Sequence, residues 1–212
     1  MMTLFFLTGI LVLTYAMLVC HRIPALIQNF RLQSLFLFLV TLDFAVRHRE
    51  AKVFVVAGLL LLVKVILIPS FLSRLVKKIK VDERLGLFLN PLLSLISALF
   101  LTWGASVFCS WFLYTRQTAV FAAFVVSITV VLVGFFIMVF RMKALSQIVG
   151  LLVMENGIFL LASVMAGGMP FFVEIAIAFD VFVCAIITGI FMYRINKVFT
   201  HIEVHRLTDL KG

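Results

Sequence analysis

The hydrophobic positions of this 212-residue chain form long apolar runs separated by short polar or charged segments. A bilayer core is about 30 Å thick and is crossed by about 20 apolar helical residues. The runs therefore predict an all-α fold, a polytopic transmembrane helix bundle of about seven spans. The predicted spans are about 2–20, 32–46, 53–73, 87–114, 118–140, 144–166 and 171–193.

Two features refine this arrangement. The apolar stretch between Arg31 and Arg47 is short, so the second span either extends into the preceding loop or inserts only in part, and six spans remain an alternative. The turn-forming segment 167–170 (GGMP) predicts that the last two spans form an antiparallel hairpin. Gly150 and Gly157 lie seven positions apart on the sixth span, which predicts a close-packed helix face.

The basic residues predict the orientation of the bundle. With seven spans, most of the 18 Lys and Arg fall on one side, in the loops near 21–31, 74–84 and 141–143 and in the tail. The positive-inside rule then places the N-terminus outside and the C-terminus in the cytoplasm. The predicted divisions are 1–143 with about five helices, a two-helix hairpin at 144–195, and a cytoplasmic tail at 196–212.

Composition excludes several classes of protein. With 65% hydrophobic and only 13% charged residues, a soluble domain is excluded. The net charge of +9 comes from basic residues in short segments between apolar runs, so it indicates topology, and no nucleic-acid partner is expected. The three cysteines fall in separate apolar segments without metal-ligand spacing, so no cofactor or metal site is predicted.

Four ionisable residues fall inside predicted spans: Lys64, Glu155, Glu174 and Asp180. A charge at mid-bilayer costs at least about 2.5 to 3.5 kcal/mol, so each needs a partner or a purpose. Glu155 and Asp180 lie at similar distances from the predicted hairpin turn, and Lys64 also falls near the midplane. Burial disfavours the charged form of each group, which suits a proton path. The alternative is that these groups only hold helices together.

Several segments resemble one family of membrane proteins. They are Gln147–Gly150, Met154–Gly157, Val173–Asp180, the closing Leu207–Gly212 and, upstream, Gln33–Ser34 and Lys64–Pro69. Together they resemble hydrogenase-4 component E. The resemblance is most specific in the last third of the chain and extends over most of it.

The resemblance implies a membrane subunit of a formate-hydrogenlyase-like or other group 4 nickel–iron hydrogenase complex, related to respiratory complex I. The C-terminal half is similar to subunit K of complex I and to its counterpart in multi-subunit cation/proton antiporters. Two glutamates serve the proton path of the complex I subunit; Asp180 falls at the second, and the first falls near Leu152, where Glu155 is the nearest acid. The metal centres would belong to other subunits, and an antiporter-like subunit is the expected partner.

Three functions therefore remain open from the sequence. The chain is expected to be a non-catalytic, proton-conducting subunit of a membrane redox complex in a bacterial or archaeal cytoplasmic membrane. The alternatives are a subunit of a sodium/proton antiporter and a structural membrane anchor whose buried polar groups serve assembly alone.

Overall fold

The computed structural model describes residues 2–48, 51–79, 90–113 and 117–165. Within these ranges every regular element is a helix, which confirms the all-α prediction. The helices are α1 (Met2–Val19), α2 (Ile23–His48), α3 (Ala51–Leu60), a π-helical segment (Leu61–Leu67), α4 (Ile68–Ile79), α5 (Pro91–Phe112), α6 (Thr118–Phe140) and α7 (Ala144–Met165).

Six helical segments in the described ranges are long and apolar enough to cross a membrane. Five are α1, α2, α5, α6 and α7, and the sixth is the continuous helix made by α3, the π segment and α4. This is the pattern of a multi-pass membrane protein. The predicted seventh span, the hairpin turn and the tail lie outside the described residues.

The second helix is longer than the sequence predicts. The apolar runs predict a loop at 21–31, but α2 already begins at Ile23, and only Cys20–Arg22 connect it to α1. Its first turns bury one stripe at helical spacing, formed by Ile23, Leu26, Ile27 and Phe30. A search for continuous apolar runs misses such a stripe because exposed polar residues interrupt it.

The third span contains a π-helical segment at its centre. The N–H of Ile68 bonds to the carbonyl of Val63, five residues earlier, and both flanking residues keep right-handed helical angles. Pro69 gives a local reason, because its ring lacks an N–H and would crowd the carbonyl four residues before it. The helix continues to Ile79, so the predicted boundary at 73 is too early.

Helices α6 and α7 pack backbone against backbone through three glycines. A Cβ added to Gly134 would lie 2.5 Å from the Met154 nitrogen, and one added to Gly150 would lie 2.7 Å from the Met138 nitrogen. At Gly157 the nearest atom would be the Val131 nitrogen at 2.7 Å. The predicted close-packed face of Gly150 and Gly157 is confirmed, and it fixes the position of α7.

We expect Gly134→Ala to destabilise the protein by about 1 to 3 kcal/mol, because the added methyl would push α7 away from α6. Gly104→Ala is the matched control, since nothing lies within 4 Å of the added methyl there. That control should be neutral or slightly stabilising, because alanine favours helix over glycine. Thermal unfolding in detergent measures both variants, and equal melting temperatures would contradict this packing.

Candidate functional site

The structure brings Lys64 and Glu155 together in the interior of the bundle. The Lys64 Nζ lies 2.8 Å from Glu155 Oε1, and the two side chains are 1% and 4% exposed. The sequence predicts that both residues lie near mid-bilayer, on different helices. The structure places them in direct contact as a buried ion pair.

Local structure positions each partner. Lys64 belongs to the π segment, and Glu155 lies near the middle of α7, the helix held by the glycine contacts with α6. Phe159, one turn beyond Glu155, places its ring centroid 5.9 Å from the Lys64 Nζ, within the range of a cation–π contact. Isolated π turns are frequent at functional sites, and here the π turn carries the only lysine predicted inside a span.

Asn156 connects the ion pair to α2. Its Oδ1 accepts a hydrogen bond from Lys64 Nζ at 3.3 Å. Its Nδ2 donates to Gln33 Oε1 at 3.2 Å and to Ser34 Oγ at 3.1 Å. Lys64 therefore has a carboxylate and an amide oxygen from adjacent residues of α7 as acceptors.

The hydrogen bonds continue from α2 to α1. Gln33 Nε2 donates to Thr14 Oγ1 at 2.8 Å, and the Thr14 hydroxyl donates to the Ile10 carbonyl at 2.7 Å. The side-chain carriers of this network are all 3% exposed or less: Thr14, Gln33, Ser34, Lys64, Glu155 and Asn156. The network thus joins α1, α2, the π segment and α7 at one buried site.

This arrangement meets the energetic condition for keeping charges in the interior. Removing an ion pair from water costs several kcal/mol per ion, on the order of what a close partner and added hydrogen bonds restore. Asn156 and Phe159 supply such contacts to Lys64. The pair also consists of two groups that exchange protons, held at hydrogen-bonding distance, so a proton can pass between Nζ and Oε1 without movement of either helix.

The other predicted site residues have different outcomes. Glu174 and Asp180 lie outside the described residues, so their placement beside Glu155 stays a prediction. Leu152, where the resemblance puts the first family glutamate, is fully buried in α7 and three residues from Glu155. Positions three apart lie on the same side of a helix, so Glu155 lies one turn along from that point.

Comparison with known proteins gives one informative match. The chain is 27% identical to an uncharacterized protein of Mycobacterium tuberculosis, over 217 aligned positions that cover 97% of this chain and 94% of that protein. No family model and no solved structure matches the chain. The match extends along almost the whole chain, so the arrangement of spans has a relative of the same length.

Sequence reasoning missed the amide and hydroxyl members of the site. It considered only ionisable residues, whereas Gln33, Asn156 and Thr14 are neutral. A signal was present, since Gln and Asn in the middle of a span must find hydrogen-bond partners in hydrocarbon. Among the residues that the structure describes, no three His, Cys, Asp or Glu side chains are grouped as metal ligands.

Proposed function

We propose that this chain is a membrane subunit of a complex-I-like, membrane-bound hydrogenase of the formate hydrogenlyase type. It would lie in a bacterial or archaeal cytoplasmic membrane with its N-terminus outside and its C-terminus in the cytoplasm. Lys64, Glu155, Glu174 and Asp180 would contribute to proton translocation, driven by redox chemistry in other subunits. An antiporter-like membrane subunit would be its neighbour.

The observation that supports this proposal is the buried contact between Lys64 and Glu155. Replacing a buried ion pair by apolar residues is often neutral or stabilising, so stability alone does not explain its presence. Intramembrane ionisable residues mark ion and proton pathways as a rule. The resemblance to hydrogenase-4 component E connects such a pathway with a redox complex.

The pair can respond to charge in a neighbouring subunit. When Lys64 passes its proton to Glu155, a charged pair becomes a neutral amine and a neutral acid. A negative charge approaching Lys64 would favour the ammonium, and its withdrawal would favour the neutral pair. A change of charge in a partner would thereby move a proton by one step inside the membrane.

The two other candidate functions predict different partners and different mutant behaviour. A sodium/proton antiporter subunit would copurify with antiporter subunits only and would act without redox chemistry. A structural anchor would lose its complex, and not its coupling, when the carboxyl groups are neutralised. Purification of the tagged chain in mild detergent, with identification of copurifying subunits, separates the first proposal from the antiporter.

We expect Glu155→Gln to leave assembly and hydrogen oxidation with an artificial acceptor close to normal, and to lower proton translocation about tenfold or more. The amide has nearly the shape of the carboxyl but cannot carry a proton. Translocation is measured in membrane vesicles with a pH-sensitive dye. Asp180→Asn should behave in the same way.

Asp43→Asn is the matched control, because Asp43 is a half-buried carboxylate near the other end of α2 that accepts a hydrogen bond from Thr3. It should translocate protons as the unmodified complex does. Unchanged translocation in an assembled Glu155→Gln complex would sink the proposal. Loss of the complex itself would instead favour the structural anchor.

A further inference from the structure

The hydrogen bonds that lead from Lys64 to α1 have only one possible direction. We call Asn156, Gln33 and Thr14 the amide chain. The Ile10 carbonyl can only accept, so the Thr14 hydroxyl must donate to it. Its single proton is then used, and its oxygen can only accept from the amide nitrogen of Gln33.

The same reasoning fixes both amides. With its nitrogen toward Thr14, Gln33 presents its oxygen to Asn156, which must donate with Nδ2. Asn156 then presents Oδ1 to the Lys64 ammonium, which can only donate. Turning either amide around would bring two donors face to face at some link. The backbone carbonyl on α1 therefore dictates, across three side chains, an acceptor at Lys64.

This direction has two consequences at the ion pair. The aligned amide dipoles place partial negative charge beside the ammonium, and hydrogen bonds in a chain strengthen one another at low dielectric. Side-chain amides also neither take up nor release protons near neutral pH, so the chain holds Lys64 without conducting protons. Proton exchange at Lys64 is then left to its contact with Glu155.

We infer that Asn156, Gln33 and Thr14 are positioning residues, which hold the Lys64 ammonium against Glu155 and close the α1–α2 side of the site to proton transfer. This inference rests on the proposed function, because it assigns these residues to the same proton path. Thr14 touches neither Lys64 nor Glu155 in any described contact, so its role is exerted through the amides.

The test compares two substitutions at Thr14 in the assembled complex. Thr14→Val keeps the shape but removes the hydroxyl, so nothing directs the Gln33 amide. We expect proton translocation per hydrogen oxidised to fall about threefold to tenfold, the range that loss of one buried hydrogen bond allows. Thr14→Ser keeps the hydroxyl and should restore the ratio. Assembly and hydrogen oxidation with an artificial acceptor should be unchanged in both.

Gln33→Met and Glu155→Gln complete the set. Gln33→Met removes both ends of the middle amide and should lower the ratio at least as far as Thr14→Val; it also decides the question if Thr14→Val fails to assemble. If Glu155→Gln lowers translocation while Thr14→Val and Gln33→Met match the unmodified complex, the inference is overturned and the proposed function stands. If Glu155→Gln has no effect, the proposed function itself fails.

Discussion

Replacing Lys64 by Met is expected to destabilise the protein by about 3 to 5 kcal/mol, since breaking a buried pair leaves a charge in the interior without its partner. In the structure the Glu155 carboxylate would lose the cation that lies 2.8 Å away, and Asn156 Oδ1 would lose its donor. Methionine fills nearly the same volume, so a cavity contributes little. Unfolding in detergent by a denaturing surfactant measures the loss.

Lys77→Met is the matched control, because Lys77 is exposed near the end of α4. Removing an exposed charge should change stability by less than about 0.5 kcal/mol. If Lys64→Met and Lys77→Met unfold alike, the buried pair is not formed as the structure describes.

The double variant Lys64→Met with Glu155→Met separates stability from function. Apolar replacement of both partners removes the uncompensated charge, so most of the lost stability should return. Proton translocation should not return, because neither replacement carries a proton. A structural anchor predicts the opposite pairing, in which a restored fold restores everything the subunit does. The difference lies in the translocation assay on an assembled double variant.

Much of the fold follows from the apolar runs alone. The spans beginning near 2, 118 and 144 are predicted within a residue or two, because continuous apolar runs bounded by polar residues have few other solutions in lipid. The predicted start of α2 is wrong, since its first turns carry an amphipathic stripe beginning at Ile23. The π segment was not predicted, although Pro69 gave a local reason for a break in helical hydrogen bonding.

The candidate site was predictable in its charges and not in its connections. Lys64 and Glu155 could be placed at similar depth because rise per residue fixes distance along a helix. Which helix faces share the interior depends on how α7 packs, and that is set by contacts such as those of Gly134 and Gly150. Asn156 and Gln33 were therefore not recognised as partners of Lys64 from spacing alone.

Arg141 is a second buried cation, and its role is at the end of α1. It follows α6 directly, is 2% exposed, and donates to the carbonyls of Met17 at 2.9 Å, Leu18 at 3.0 Å and Cys20 at 3.1 Å. The last carbonyls of a helix lack intrahelical donors and carry partial negative charge, so a guanidinium satisfies them well. Burial lowers the pKa of Arg141, yet an arginine stays protonated in a protein.

We expect Arg141→Met to destabilise the protein by about 3 kcal/mol, because α1 would lose donors to three carbonyls at once. For a chain of this size that corresponds to a fall in melting temperature of about 6 to 12 °C. Arg141→Lys should recover part of the loss, because it keeps the charge but lacks the fork that reaches several carbonyls. Arg31→Met, at an exposed position of α2, should melt like the unmodified protein. Equal melting of Arg141→Met and Arg31→Met would show that Arg141 does not hold α1, whereas a graded order of Arg31→Met, Arg141→Lys and Arg141→Met is the result that the three hydrogen bonds require.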